Sequence, residues 1–265
     1  MGELNIIAIN VGNSRTQVGQ FAGMELLSDE HLDNDSIPAI VQHVVERWEQ
    51  TDDPKTLLIA SVNDAVASSL DAALNDQLSI EIYHVGDDVP VPIGLCLDPE
   101  TITGVDRLLN AAAAWDRTRE ACIVIDAGTA LTVDFVDGDG TFHGGAIAPG
   151  AALQLQSLHD RTASLPELQL STPDDTDPFG RSTGQAMIKG VFHGIRGAVQ
   201  RLVEQYAEHY GAFPKVIATG GDAETLFKGE GLIDTIVPDL TLRGIAATAR
   251  HALSPDKADG PDGDG

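Results

Sequence analysis

Cysteine is scarce: Cys96 and Cys122 are the only two in 265 residues. That excludes a disulfide framework, and their spacing is not that of zinc ligands. Cys122 heads an apolar run and is expected to be a buried thiol. Basic residues are also in short supply, with 16 Lys and Arg against 41 Asp and Glu and a formal charge of −25. A uniformly basic groove for DNA or RNA is not expected, and attraction to anionic membranes is opposed. An anionic substrate has to find local Arg or Lys, backbone dipoles or metal ions. We take the acidity as a solubility property rather than a binding function. No apolar run approaches the length of a membrane span. Met1–Asn5 has neither the basic start nor the apolar core of a secretory signal. These absences point to a cytoplasmic protein with no nucleic-acid or membrane partner. What remains is ordinary for a globular chain, 42% hydrophobic and 22% charged, with material for one large domain or two modest ones.

The most informative feature present is a repeat. Ile7-Ala8-Ile9-Asn10-Val11-Gly12-Asn13-Ser14-Arg15-Thr16-Gln17-Val18 returns as Ile123-Val124-Ile125-Asp126-Ala127-Gly128-Thr129-Ala130-Leu131-Thr132-Val133-Asp134. Each copy is a β-branched apolar run, an Asn or Asp, a Gly two residues on, a small polar pair and a second alternating run. The pattern predicts strand, tight turn, strand. Such a turn directs backbone N–H groups and small hydroxyls outward, which suits a phosphate chain, and an acidic residue at its mouth can hold a cation or its water shell. One copy alone is most simply a structural hairpin. Two copies predict two similar lobes, spanning 1–118 and 119–253, that share a nucleotide between them.

Periodicity fills in the rest. Ser36 is expected to cap a helix through Ile37, Ile40, Val41, Val44, Val45 and Trp48. Strands are expected at Leu57–Ser61 and Ile80–Val85, with a helix between them and an Ala-rich helix over Gly104–Trp115. Thr183–Tyr210 reads as a long helix whose Gly190, Gly194 and Gly197 allow close approach along one face. Val216–Thr219 reads as a strand ending at Gly220-Gly221-Asp222, and Leu242–Leu253 as the last helix. Residues 254–265, rich in Pro, Gly and Asp, are expected to be a disordered acidic tail.

In order and spacing these pieces resemble the type III pantothenate kinase family, a branch of the acetate and sugar kinase, Hsc70 and actin superfamily. The resemblance runs from about Ile6 to Ala252. Its markers are the Gly12-Asn13-Ser14 turn; Gly104-Val105-Asp106-Arg107 with Asn110-Ala111; Asp126-Ala127-Gly128-Thr129-Ala130 with Thr132 and Asp134; Gly144–Gly150; Thr162–Pro166; Thr219-Gly220-Gly221; and Leu240–Gly244. It implies an α/β fold of two similar actin-like (ribonuclease H-like) lobes, each a mixed sheet flanked by helices. It also implies ATP-dependent phosphorylation of pantothenate to 4′-phosphopantothenate, the first committed step toward coenzyme A. Mg2+ and a monovalent cation, K+ or NH4+, are implied alongside ATP, as is a homodimer with the substrate site near the subunit interface.

The same resemblance assigns residues. Asp106 is the expected catalytic base, since a carboxylate that orients a primary hydroxyl and accepts its proton assists attack on the γ-phosphorus. Gly104, Val105, Asp106, Arg107 and Thr183 are expected at the substrate, Arg107 offering bidentate pairing to a carboxylate or phosphate. Thr183 would equally serve as a plain helix cap. Asn10, Val11, Gly12, Asn13, Ser14, Arg15, Thr16, Gln17 and Thr129 are expected around ATP, and Asp126 at the monovalent cation. Two positions depart from the family pattern. Asn10 stands where the family has Asp, which removes a charge from the magnesium side. Leu97 stands where the family has a substrate-contacting Tyr. These departures leave two alternatives open: a catalytically weakened regulatory or binding homologue, and a kinase for another small hydroxy acid.

Overall fold

The computed structural model describes residues 4–174 and 176–253; the tail 254–265 lies outside the described residues. The chain divides into two compact units. One comprises the described residues up to Pro92, Gly104–Leu109 and those from Thr241 onward; the other comprises Ile93–Thr103 and Asn110–Leu240.

The first unit is built on a sheet of β1 (Asn5–Val11), β2 (Arg15–Ala22), β3 (Glu25–Asp33), β4 (Lys55–Ser61) and β5 (Tyr83–His84) in the order β3-β2-β1-β4-β5. The β1-β2-β3 meander is antiparallel, while β4 runs parallel to both β1 and β5. β1 is apolar at nearly every position because both of its faces are covered. Ile7, Ile9 and Val11 join Val41 and Val44 of α1 (Ile37–Gln50) and Leu70 and Leu74 of α2 (Asp64–Leu78). Ile6 and Ala8 face the opposite core, where Leu109, Leu242, Ile245, Ala246 and Ala249 cover the sheet.

That second layer corrects the expected division near residue 118. α7 (Leu240–Leu253) returns to the first sheet and supplies apolar cover there, as does the start of α3 (Val105–Thr118). Two smaller expectations also change. Ser36 occupies the N-cap of α1 without a side-chain capping bond, and Pro38 sits in the first turn, where a missing N–H costs nothing. The strand expected over Ile80–Val85 shrinks to Tyr83–His84.

The second unit has six strands, β6 (Gly94–Leu95), β7 (Cys122–Ala127), β8 (Ala130–Val136), β9 (Thr141–Pro149), β10 (Lys215–Thr219) and β11 (Thr235–Ile236), ordered β11-β10-β7-β8-β9-β6. Leaving aside the short edge strand β6, this repeats the first unit: an antiparallel meander extended by parallel strands from its first member. Ile123 and Ile125 of β7 pack in one core with Val191, Phe192, Ile195 and Val199 of α5 (Thr183–Tyr210) and Ala151 and Leu155 of α4 (Ala151–Asp160). The short α6 (Ala223–Phe227) adds Leu226 and Phe227 to it. Cys122 is fully buried, and burial pushes its thiol up to about 12, so it is inert as expected.

α5 starts where its periodicity predicts, but Ser182 rather than Thr183 caps it. The Ser182 hydroxyl accepts from Gln185 N and the Gln185 side chain accepts from Ser182 N, a capping box that stabilises the helix by about 1 kcal/mol. Gly190, Gly194 and Gly197 have no atom of this chain within 4 Å of where a Cβ would stand. The close approach expected along that face is not made by the described residues.

Candidate active site

In the first unit the strand–turn–strand copy folds as its pattern predicts, with Asn10 paired to Gln17 and Val11 to Thr16. Gly12 N donates to Arg15 O at 2.9 Å and closes the turn. Asn13, Ser14 and Arg15 are exposed, whereas Val11, Thr16 and Gln17 are buried. The side chains of the last two are engaged internally: Thr16 Oγ1 donates to Asn34 Oδ1 at 2.8 Å and Gln17 Nε2 to Asp29 Oδ2 at 3.2 Å. A ligand at this turn therefore meets Gly12–Arg15, with Thr16 and Gln17 behind them. Arg15 is held by Asp33, 3.3 Å away.

Gly104–Arg107 lie in the same unit, at the start of α3. Asp106 Oδ1 accepts from Arg107 N at 2.8 Å, as an acidic residue in a first helical turn does. Gly104 leaves the room this requires, because a Cβ there would stand 2.6 Å from Asp106 Oδ1. Burial raises the Asp106 carboxyl above its ordinary value; the Arg107 backbone bond and then the Arg107 charge oppose that shift without cancelling it. Val62 links this helix start to the turn: its N donates to Val11 O at 3.0 Å, and its Cγ1 lies 3.7 Å from the Cβ position of Gly104.

In the second unit Asp126 pairs with Thr132 and Ala127 with Leu131. Three residues separate that last pair, whereas four separate Val11 from Thr16. The two copies thus differ by one residue in the loop, and Thr132 occupies the place of Gln17, not of Thr16. Asp126 sits in a cradle lined by glycine. Its Oδ2 accepts from Asn110 Nδ2 at 3.0 Å, and its Oδ1 lies 3.3 Å and 2.5 Å from the Cβ positions of Gly128 and Gly220. Gly220 has φ +94°, and a Cβ on it would also meet the Ala127 carbonyl at 2.6 Å. Gly150 N donates to Thr129 O at 3.0 Å, and its own Cβ would overlap Gly128 O. Gly128, Gly150 and Gly220 each stand where an added Cβ would press on this turn, so glycine is required at these positions.

Thr129 is exposed at the tip of that turn. Thr183 is exposed at the first position of α5, and among the described residues no hydrogen bond or ion pair joins it to the Asp126 cradle. Leu97 packs with its Cδ2 3.2 Å from the Cβ position of Gly144, whose φ is +82°. Two residues escaped the assignment of roles: Asn110, recognised only as part of a motif, and Asn34, not recognised at all. Each acts on a partner far along the chain, so no local pattern marks it.

Two units, each a meander extended by parallel strands with a glycine turn after its first strand, define the actin-like (ribonuclease H-like) fold class to which sugar kinases belong. The same fold recurs in component A of (R)-2-hydroxyglutaryl-CoA dehydratase from Acidaminococcus fermentans, with TM-score 0.52 and 14% identity over 94% of this chain and 97% of that one. A Campylobacter jejuni protein provisionally assigned as a Baf family transcriptional activator shares it too, with TM-score 0.59 and 21% identity over 93% and 98%. At those identities the likeness concerns the fold alone.

The sequence is more specific. Residues 6–205 match the family profile of type III pantothenate kinase. The type III pantothenate kinase of Rhodospirillum rubrum is 40% identical over 195 residues, 73% of this chain and 75% of that protein. Those of Dehalococcoides mccartyi strain CBDB1 and Listeria monocytogenes strain EGD-e are each 30% identical, over 91% and 93% of this chain and 93% and 97% of their own lengths. The chain belongs to the type III pantothenate kinase family.

Proposed function

We propose that the chain transfers the γ-phosphoryl group of ATP to the primary hydroxyl of pantothenate, yielding 4′-phosphopantothenate, the first committed step toward coenzyme A. Membership of the kinase family over nearly the whole folded chain carries this reading. The backbone of Gly12–Arg15 and the Thr129 turn take the phosphates of ATP, with Asn10, Val11, Thr16 and Gln17 supporting the first of them. Asp106 orients the substrate hydroxyl and accepts its proton as oxygen attacks phosphorus. Its burial favours this, because a base whose pKa is lifted toward the working pH holds the proton better. Gly104, Val105 and Arg107 shape the substrate end beside it, and Thr183 adds a hydroxyl contact.

When bound, Mg2+ and a K+ or NH4+ ion supply positive charge against the phosphate oxygens. Asp126 is our choice for the monovalent ion. One carboxylate oxygen accepts from Asn110 and the other lies beside Gly128 and Gly220. A single carboxylate of this kind can share a cation with the phosphate oxygens of the nucleotide. We further infer a homodimer. A groove of about 630 Å³ between α4 and α5, lined by Leu153, Leu158, Met187 and Gly190, lies open, and Ile147 is 65% exposed. Apolar patches of this kind favour a partner. No described helix is long and apolar enough to cross a membrane.

The reading is tested by ADP release with ATP, Mg2+ and K+ across a panel of small hydroxy acids. Turnover that requires pantothenate supports it. Turnover with another acid alone, or none with nucleotide still bound, would overturn it. The pH profile adds a second check. Deprotonated Asp106 is the working form, so kcat/KM falls as pH drops through a pKa raised above 3.8. The stability effect has the opposite sign: a buried charge is disfavoured in the folded state, so stability declines as pH rises from the ordinary value through the raised one. An acid limb at or below 3.8 would show that burial does not raise the Asp106 carboxyl, and Asp106→Asn then decides its role as base.

A further inference from the structure

Asn34 stands just after β3, far along the chain from the first turn, yet its polar groups point into that turn. Its Nδ2 donates to Gly12 O at 2.8 Å, its Oδ1 accepts from Thr16 Oγ1 at 2.8 Å, and its backbone N donates to Ser14 O at 3.3 Å. Thr16 is fully buried, so its hydroxyl depends on a partner inside the protein.

The geometry points to Asn34 as the positioning residue of the nucleotide-binding turn, setting its phosphate affinity without touching the ligand. The physical reason lies in the peptide group. In a planar trans peptide the carbonyl and the following N–H point in opposite directions. By drawing the Gly12 carbonyl toward itself, Asn34 turns the Asn13 N–H away from itself and toward the open side of the turn. It also removes two carbonyl oxygens, those of Gly12 and Ser14, from the surface that an anion approaches. The turn is thereby preorganised, and binding a phosphate need not first order it.

The inference rests on the reading that this turn takes the phosphates of ATP. It is tested with Asn34→Ala and Thr16→Val, by ADP affinity in a fluorescence titration with mant-ADP, steady-state constants for both substrates, and the urea midpoint. Asn34→Ala should weaken ADP binding and raise the KM for ATP by about fivefold or more, as the loss of two hydrogen bonds implies. The pantothenate KM and kcat at saturating ATP should stay within about twofold, a split that general destabilisation does not produce. Thr16→Val should weaken ADP binding less, and the double variant should add little to Asn34→Ala. A folded Asn34→Ala protein that binds ADP as well as the parent would overturn the inference. So would Thr16→Val with unaltered ADP affinity, should Asn34→Ala fail to fold. A parent protein that does not bind ADP would overturn the functional reading and the inference together.

Discussion

Replacing Asp106 with asparagine is expected to lower kcat about 10²- to 10⁴-fold, the range a positioned general base contributes, while ADP binding stays within about twofold. The substitution is conservative in the terms that matter for folding. Asparagine keeps an oxygen for the 2.8 Å bond from Arg107 N, and it fits the space left by Gly104. It also removes a carboxylate whose burial raises its pKa, so the folded state should lose nothing in stability above neutral pH. A fall in turnover therefore reports chemistry, not structure. Full turnover in the variant would remove Asp106 from the mechanism and leave its burial as a property of the helix start.

Gly220→Ala should be strongly damaging, through both stability and the placement of Asp126. Gly220 has φ +94°, where side chains other than glycine are strained, and the added carbon would stand 2.5 Å from Asp126 Oδ1 and 2.6 Å from the Ala127 carbonyl. Part of that obstacle is backbone, which cannot rotate aside. Strain of about 1–3 kcal/mol from the dihedral and a similar amount from overpacking should shift the urea midpoint downward. The Asp126 carboxylate, fixed on its other side by Asn110, has to move as well. Turnover of the folded fraction should fall more than about tenfold, with a higher K+ requirement, as expected for a displaced positioning group. Gly221→Ala is the matched control. Its Cβ meets nothing within 4 Å, so stability should change by no more than about 0.5 kcal/mol. Equal behaviour of the two variants would show that the glycine cradle does not hold Asp126.

Both turns were legible in the sequence because their chemistry is local: a β-branched run, a glycine and small polar residues within a few positions. What lay beyond the repeat was less visible. The aligned threonines Thr16 and Thr132 conceal the one-residue difference in loop length, since only strand pairing reveals that Thr132 opposes Asp126 while Gln17 opposes Asn10. β3 escaped notice because Glu25–Asp33 is a largely polar edge strand with few β-branched residues. The partnerships of Asn34 with Gly12 and of Asn110 with Asp126 bridge separate elements, and an isolated Asn reads simply as a turn or cap residue. The return of α7 to the first sheet is of the same kind. Its apolar periodicity announces a helix but does not say which sheet it covers.

The most direct test of the account is transfer itself. Purified protein is incubated with ATP labelled in the γ-phosphate, Mg2+ and pantothenate, with and without K+, and the label is followed by mass spectrometry into the product. The account predicts one labelled phosphoryl group on the primary hydroxyl of pantothenate, formed faster with K+ and slowed about 10²- to 10⁴-fold in Asp106→Asn. Label found only in inorganic phosphate, or on pantothenate at equal rate in Asp106→Asn, would contradict it.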